Sequence, residues 1–273
     1  MATADRLDDR IIIGSEKREK EEVKKIPGTR WSTEEQTWWM PLSWAGCQQL
    51  RGVFGSSLEV YPALAEWVHA ERASRIDPCL ALRTAEDAPD LAFMSALYPF
   101  QRAGARFLAT ARRALLADEM GLGKTVQAIA ALEVFGDSAY PALVVCPNSM
   151  KLTWAAEFRR WAPGRFVQVV TGGCVARRKQ IARVRDGEAD VAVINYEALR
   201  AHTRVAPYGN IALSDKDREL KELNEVPWVS VVIDEAHRIK DPHTQQTRAL
   251  WWVADGAHLV WALTGTPIAN SPE

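Results

Sequence analysis

A glycine-rich segment followed by lysine and threonine can bind nucleotide phosphates, and this sequence contains one. The segment reads Asp118-Glu119-Met120-Gly121-Leu122-Gly123-Lys124-Thr125. Glycines let backbone N–H groups turn toward an anion, and a helix starting here adds its positive end. Lys124 would reach the β- and γ-phosphates of ATP, and the Thr125 hydroxyl would hold Mg²⁺. The strict pattern has glycine where this chain has Asp118, so the alternative is an ordinary glycine-rich turn.

Two adjacent acids, Asp234 and Glu235, follow the apolar run Val231–Ile233 about 110 residues after this loop. An aspartate at the end of a buried strand can hold Mg²⁺ opposite a phosphate loop. Glu235 is then placed to polarise the water that attacks the γ-phosphate. Such a pair alone is more often a helix N-terminus, but its combination with the loop is a strong signal for nucleotide hydrolysis.

A third segment, Leu263-Thr264-Gly265-Thr266-Pro267, ends another apolar run. Its small hydroxyl residues could sense the nucleotide and hydrogen-bond to the strand that carries the two acids. Taken alone, this segment would be an ordinary turn.

Short apolar runs alternate with amphipathic segments from Tyr98 onward. The runs are 114–117, 142–146, 166–170, 191–194, 229–233 and 259–263, and helices are predicted over 124–135, 149–161 and 244–253. In the second helix Trp154, Phe158 and Trp161 form one stripe, which predicts core packing. This rhythm predicts an α/β fold with a parallel sheet flanked by helices, whose ligand lies at the carboxyl ends of the strands.

The sequence pattern of residues 1–60 predicts a small α+β module in the order β-α-β-β-α. Its elements are a strand at 10–13, a helix ending at Lys25, strands at 29–32 and 37–40, and a helix that Ser43 caps. Residues 61–97 predict a helical linker broken at Pro78 and Pro89, and residues 98–273 form the larger domain.

Composition limits the classes of protein. The 273 residues carry a net charge of −1 and contain no apolar run long enough to span a membrane. The N-terminus has no signal-peptide core, and the four cysteines lack zinc or disulfide spacing. We therefore expect no membrane association and a reducing cytoplasmic location.

Basic residues are concentrated between residues 148 and 185, with nine lysines and arginines against the single acid Glu157. This excess is typical of a surface that binds nucleic-acid phosphates, although a solvated helix face would look the same.

Taken in order, Asp118–Thr125, Asp234–His237 and Leu263–Pro267 resemble motifs I, II and III of Swi/Snf-type superfamily 2 helicases, including the aspartate in place of glycine. The segment Tyr98–Gly104 resembles the family's adenine-recognition motif, with Gln101 as the adenine reader. The resemblance implies a RecA-like ATP-binding lobe over residues 98–273. It also implies that Gln101, the loop 118–125 and His237 bind Mg-ATP.

Two further segments resemble the parts of this family that contact DNA. Residues 144–149, followed by Trp154 and Phe158, resemble motif Ia, and residues 193–197 resemble a segment that touches the DNA backbone. The resemblance, together with the basic stretch, predicts DNA contacts at Asn148, Ser149, Arg177, Arg178, Lys179, Asn195, Tyr196 and Thr264.

The N-terminal module has a less specific resemblance to the HARP-type module of annealing helicases. Residues 27–31 and 38–42, Pro-Gly-Thr-Arg-Trp and Trp-Trp-Met-Pro-Leu, carry it. The resemblance implies recognition of forked DNA. The alternative is a small domain with structural tryptophans.

Members of the family are ATP-dependent translocases on double-stranded DNA, in which a second RecA-like lobe supplies an arginine finger. This sequence ends just after motif III. We therefore expect this sequence by itself to bind ATP but barely hydrolyse it. Either a second polypeptide supplies that lobe, or this sequence is a fragment. The alternatives are a regulatory ATP- or DNA-binding module, or a fragment of an RNA helicase. The Thr264-Gly265-Thr266 triplet argues against the RNA helicase, whose motif III is usually Ser-Ala-Thr.

Overall fold

The computed structural model describes residues 2–209 and 211–266. The chain divides into two compact units, residues 1–78 and 79–273. The domain boundaries expected near residues 60 and 97 remain predictions.

The first unit is built on a five-stranded mixed sheet. Its elements are β1 (Thr3–Leu7), β2 (Arg10–Gly14), α1 (Lys20–Lys25), β3 (Arg30–Ser32), β4 (Thr37–Pro41), α2 (Trp44–Phe54), β5 (Glu59–Val60) and α3 (Pro62–Glu71). The strand order is β3-β4-β2-β1-β5, and only the β1–β5 pair is parallel. The Ser43 hydroxyl accepts a hydrogen bond from the Gly46 N–H at 3.1 Å and so caps α2 as expected.

Strand β1 was not predicted because its hydrophobic signal is weak. Its buried core residue is the small Ala4, while Leu7 is 46% exposed. The strand is stabilised instead by antiparallel pairing with β2 along its whole length. The predicted strands and helices between residues 10 and 54 are all present, with β1 and β5 added.

The predicted helix break at Pro78 is wrong. After α3 a π-helical turn covers Arg72–Ile76, and α4 (Asp77–Leu82) follows it directly. Pro78 is the second residue of α4, a position where a helix tolerates a residue without an N–H donor. The break at Pro89 is present, because residues 83–88 are not helical and a 3₁₀ turn covers Pro89–Met94.

The second unit contains a six-stranded sheet that is parallel throughout. Its strands are β6 (Arg113–Leu116), β7 (Ala142–Cys146), β8 (Val167–Val169), β9 (Val191–Asn195), β10 (Ser230–Asp234) and β11 (Leu259–Leu263), in the order β6-β11-β10-β7-β9-β8. Its helices are α5 (Pro99–Ala111), α6 (Lys124–Phe135), α7 (Lys151–Trp161), α8 (Cys174–Arg185), α9 (Tyr196–Ala201), α10 (Asp215–Arg218) and α11 (Gln245–Asp255). Every predicted apolar run is a strand, and the predicted RecA-like α/β fold is confirmed.

The core of this unit consists of two layers, one on each face of the sheet. Along β7, Val144 packs into one layer, with Trp154 and Phe158 of α7. Its neighbour Val145 packs into the other, with Ile181 of α8. The alternation follows from the period of two along a strand. Trp154 and Phe158 are fully buried, so the predicted aromatic stripe belongs to the core.

Within the described residues, no helix is long and apolar enough to cross a membrane.

Candidate nucleotide site

The register of three neighbouring strands brings the three predicted motifs to one edge of the sheet. Leu263 at the end of β11 pairs with Leu116 at the end of β6 on one side and with Asp234 at the end of β10 on the other. The Thr264 N–H also donates to the Leu116 carbonyl at 3.1 Å. Residues separated by more than 100 positions in the sequence therefore lie side by side.

The glycine-rich segment forms a loop between β6 and the start of α6 at Lys124. Gly121 and Gly123 have φ values of +87° and +76°, a backbone region that suits glycine. The Lys124 ammonium donates to the carbonyls of Asp118 and Glu119, both at 2.8 Å, so it lies within the loop. Thr125 is half-buried in the first turn of α6. The loop, the helix N-terminus and the lysine together fit an anionic phosphate chain.

Two glutamines hydrogen-bond to this loop, and one of them, Gln127, was not predicted as a site residue. Gln101, on α5, accepts from the Tyr98 N–H at 3.1 Å and donates to the Leu122 carbonyl at 3.2 Å. Gln127, on α6, is fully buried and donates to the Asp118 carboxylate at 3.0 Å and to the same Leu122 carbonyl at 3.2 Å. Gln101 therefore contacts the loop as well as lying in the segment expected to read adenine.

Asp234 and Glu235 lie at the end of β10, in different environments. The Asp234 carboxylate is buried and accepts from the Glu235 N–H at 3.0 Å and from the Trp154 indole N–H at 2.8 Å. Burial, the largest cause, raises the pKa of Asp234 above its ordinary value. Glu235 is half-buried and has left-handed backbone angles, with φ at +53°. The chain therefore turns sharply at the second acid.

His237 connects the second acid to the third motif. Its Nδ1 atom lies 3.2 Å from the Glu235 carboxylate, 3.5 Å from the Thr264 hydroxyl and 3.4 Å from the Thr266 hydroxyl. A Cβ atom added at Gly265 would lie 2.5 Å from Met120 Cγ and 3.6 Å from Lys124 Nζ. The third segment thus touches both other motifs. Pro267, its last residue, lies outside the described residues.

The residues expected to contact DNA fall into three groups. Arg177, Arg178 and Lys179 lie on α8, where Arg177 is half-buried and the other two are exposed. Asn148 and Ser149 are exposed in a 3₁₀ turn ahead of α7. Asn195, Tyr196 and Thr264 are instead buried at strand ends. The Tyr196 hydroxyl donates to the main-chain carbonyl of Asp234 at 2.5 Å, and burial raises the pKa of this phenol. The structure gives Tyr196 a contact inside the protein, and all of these DNA contacts remain predictions.

The basic stretch does not form one continuous surface. Its residues on α7 and on α8 belong to helices that pack on opposite faces of the sheet. Lys151 is buried and donates to the Val170 carbonyl at 2.9 Å, and burial lowers its pKa. Four of the arginines form ion pairs: Arg165 with Glu133 and Asp137, Arg178 with Glu222, Arg183 with Glu188, and Arg185 with Asp186 and Glu225. Acids from outside the stretch therefore compensate part of its charge excess.

The known proteins that resemble this chain agree with one another in family. A family model described as an SNF2-related domain matches residues 63–273. The protein CHROMATIN REMODELING 19 of Arabidopsis thaliana is 34% identical over 67% of this chain and 24% of its own length. A Bos taurus SWI/SNF-related matrix-associated actin-dependent regulator of chromatin subfamily A-like protein 1 is 35% identical over 67% of this chain and 17% of its own length.

Two other similar proteins have names that mention DNA. The Bos taurus DNA annealing helicase and endonuclease ZRANB3 is 29% identical over 72% of this chain and 17% of its own length. The solved Sulfolobus solfataricus SWI2/SNF2 ATPase core in complex with dsDNA is 29% identical, with a TM-score of 0.49, over 64% of this chain and 33% of that chain. The chain thus matches less than a quarter of the length of these curated relatives.

Proposed function

Because the chain belongs to the SNF2-related family, we propose that it is the first RecA-like lobe of an ATP-dependent translocase that acts on double-stranded DNA. One observation supports this more than any other. Leu116, Leu263 and Asp234 lie in one row of the parallel sheet, so the glycine-rich loop, the third motif and the paired acids share one edge. This edge is where parallel α/β folds bind ligands.

ATP would bind with its phosphates against the loop 118–125 and the N-terminus of α6. Lys124 supplies the cation that faces the β- and γ-phosphates. Thr125 and Asp234 are the residues that would hold Mg²⁺, whose charge stabilises the phosphates. The hydroxyl and the buried carboxylate are oxygen ligands, which suit this ion. Gln101, at the base of the loop, would read the adenine.

Hydrolysis would require a base and a positive charge that faces the γ-phosphate. Glu235 would orient the attacking water and accept its proton, and His237, at 3.2 Å, would hold the Glu235 carboxylate in place. An arginine from a second RecA-like lobe would supply the charge, and such arginines contribute about 10³–10⁵ in rate in related phosphoryl-transfer enzymes. We therefore propose that turnover requires such a lobe.

DNA would be bound through its backbone, because the exposed candidates are polar and basic side chains. Asn148 and Ser149 at the start of α7, and Arg178 and Lys179 on α8, are exposed. One relative is named a DNA annealing helicase, and we propose that the first unit acts as a HARP-like module that favours forked DNA.

Nucleotide binding is tested with Lys124→Ala and a fluorescent ATP analogue. Removing the cation that faces the β/γ-phosphates should abolish tight binding. Lys179→Ala is the matched control, because this exposed lysine lies on α8, which packs on the opposite face of the sheet from α6. Equal affinity of Lys124→Ala and wild type would refute the assignment of the loop.

Turnover is tested by phosphate release from four mixtures: this chain, a polypeptide carrying a second lobe, both together, and both with duplex DNA. We expect DNA-stimulated hydrolysis only when both are present, and Glu235→Gln should abolish it while nucleotide binding is retained. Absence of turnover in the complete mixture would favour a regulatory module. Stimulation by RNA but not by DNA would favour an RNA helicase.

A further inference from the structure

The edge of the parallel sheet opposite β6 carries an exposed apolar groove. The strand at this edge, β8, pairs only with β9 among the described residues. Between β8 and α7 lies a groove of about 560 Å³, the β8 groove, whose lining includes Leu152, Phe166 and Val169. Leu152 is 75% exposed, and Phe166, just before the strand, is 72% exposed. Large apolar side chains that share one exposed groove are typical of an interaction surface.

Helix α7 has two apolar stripes, and only one of them belongs to the core. Trp154 and Phe158 form the first stripe, which packs on the sheet. Leu152 and Ala155 begin the second stripe, which Arg159 continues, and all three side chains line the β8 groove. Spacings of three and four residues place them on one face of the helix. Packing of the core therefore does not account for the apolar Leu152.

The open side of β8 offers main-chain hydrogen-bonding groups in an extended conformation. The Phe166 carbonyl accepts from β9 at 3.1 Å, and the Val170 N–H donates to β9 at 2.9 Å. Because bonding to a parallel neighbour alternates along a strand, the backbone groups of Val167 and Val169 point away from β9. The Gln168 amide donates to the Val169 carbonyl at 3.0 Å, which leaves the other three groups at the open edge. A strand from another protein can pair with such groups.

The β8 groove is positively charged. Within the described residues, its lining contains Arg159 and Arg165 and no acid. Arg165 pairs with Glu133 and Asp137, whereas Arg159 is exposed and forms no ion pair in the part of the chain that the structure describes. Because a crossover helix returns the chain to the end of the sheet where the next strand begins, Arg159 lies toward the start of β8. An acidic side chain of a partner would be attracted to this end of the groove.

Two other arrangements fit these observations less well. A second groove lies beside β6, but its lining includes Gly104, Asp118 and Leu122, so it belongs to the phosphate loop and the packing around it. Antiparallel pairing of β8 with the same strand of a second copy would bring the segment after β8 to the start of the partner strand. That segment, Val-Thr-Gly-Gly, supplies no acid for Arg159.

We propose that the β8 groove docks an extended, acidic segment of a partner protein, which pairs with β8 as an added strand. Alternate apolar side chains of the segment would pack against Leu152 and Phe166, and an acid near one end would pair with Arg159. In this mode of binding the main-chain bonds supply affinity, and the contacts of alternate side chains supply specificity. The proposal does not depend on nucleotide binding, whose candidate residues lie at other strands of the sheet.

The experiment uses the full chain without nucleotide, and its probe is a phage-displayed library of random peptides. We expect the peptides that the wild type selects to share alternating apolar positions and an acid toward one end. One selected peptide is then synthesised with a fluorophore, and its affinity is measured by anisotropy. Leu152→Ser and Phe166→Ser should each weaken binding by about 10-fold or more, the usual cost of truncating a central interface contact. Leu220→Ser is the matched control, because Leu220 is 63% exposed and lies outside the groove.

The charge is tested by an exchange between the two partners. Arg159→Glu should weaken binding of the acidic peptide and strengthen binding of a version with lysine in place of the acid. Arg160→Glu is the control, because Arg160 is exposed on the same helix and does not line the groove. It should leave the preference for the acidic peptide unchanged.

The added strand is tested by changing the peptide, so that the protein itself is unaltered. Two forms are made, each N-methylated at every second amide, one form at the odd positions and the other at the even positions. Only one of the two sets of amides can face β8, because bonding to a neighbouring strand alternates. One form should therefore lose binding and the other should keep it.

Four results would overturn the proposal. They are the selection of no binding peptide, equal affinity of the peptide for wild type, Leu152→Ser and Phe166→Ser, retention of binding by both N-methylated forms, and loss of binding by both. A dimer seen by light scattering and lost in Phe166→Ser would instead assign the groove to a second copy. Weaker duplex binding in the same variants, without any peptide binding, would assign it to DNA. Each of these two outcomes also overturns the proposal, and the proposed function would stand.

Discussion

Gly104 on α5 leaves the space that the side chain of Gln127 occupies. A Cβ atom at position 104 would overlap Gln127 Oε1 and lie 2.9 Å from its Cδ. Because Gln127 is fully buried between α5 and the phosphate loop, its side chain would have to leave its place. Gly104→Ala is therefore a one-methyl test of how the loop is braced.

Two opposing effects set the magnitude. Replacing glycine by alanine inside a helix normally stabilises a protein by about 0.5–1 kcal/mol. Displacing Gln127 removes its bond to the Asp118 carboxylate, a charged acceptor that contributes about 1.5–3 kcal/mol, and its bond to the Leu122 carbonyl, about 1 kcal/mol. The loss exceeds the gain, so we expect a net destabilisation of about 1.5–3.5 kcal/mol. This corresponds to a fall in Tm of roughly 3–14 °C for a unit of this size.

The assay is thermal unfolding together with titration of a fluorescent ATP analogue, whose affinity should also fall because the loop loses a brace. Gly52→Ala is the matched control, since Gly52 is exposed inside α2 and a Cβ there meets nothing within 4 Å. It should stabilise the first unit by up to about 1 kcal/mol. In a Gln127→Ala background, Gly104→Ala should lose its penalty. Stabilisation of the otherwise unchanged protein by Gly104→Ala would refute the reasoning.

Three further predictions concern charge and the first unit. The hydrogen bonds from Arg102 hold the pKa of Asp87 below its ordinary value, so this pair stabilises the protein above the unfolded pKa and is lost as pH falls through the folded one. Asp87→Asn should therefore lower the Tm at neutral pH, and its difference from wild type should shrink as pH falls from the ordinary aspartate pKa through the lowered folded pKa. Replacement of Arg177, Arg178 and Lys179 on α8 by glutamate should weaken duplex binding and flatten its dependence on salt. Replacement of Arg159 and Arg160 by glutamate, on α7 at the opposite face of the sheet, is the comparison. Deletion of the first unit, residues 1–78, should reduce the preference for forked over linear duplex without loss of ATP binding, as measured by competition between the two DNAs.

The nucleotide edge was predictable because its signals are local. Continuous apolar runs identify buried parallel strands, and a glycine-rich loop between a strand and a helix needs no long-range information. The bond from Trp154 to Asp234 spans 80 positions and depends on how α7 packs on the sheet. The helical periodicity correctly placed Trp154 in the core. Periodicity carries no information, however, about the direction in which the indole N–H points.

The basic stretch shows why a linear count of charges misleads. A count over residues 148–185 ignores that α7 and α8 lie on opposite faces of the sheet. It also ignores acids from outside the stretch, such as Glu133 and Glu222, which pair with Arg165 and Arg178. Helix α8 itself was not predicted, because it has only two buried residues, Ile181 and Val184, and so a weak apolar pattern.

The one departure from the strict phosphate-loop pattern has a physical reason in the structure. Where that pattern has glycine, Asp118 presents a carboxylate to the buried amide of Gln127, and the room for this amide exists because residue 104 is glycine. The loop therefore combines glycines at 121 and 123, which let the backbone turn, with a side-chain brace at its start. Asp118, Gln127 and Gly104 act as one unit. A glycine at 118 would leave the Gln127 amide without its charged partner, and a side chain at 104 would leave it without space.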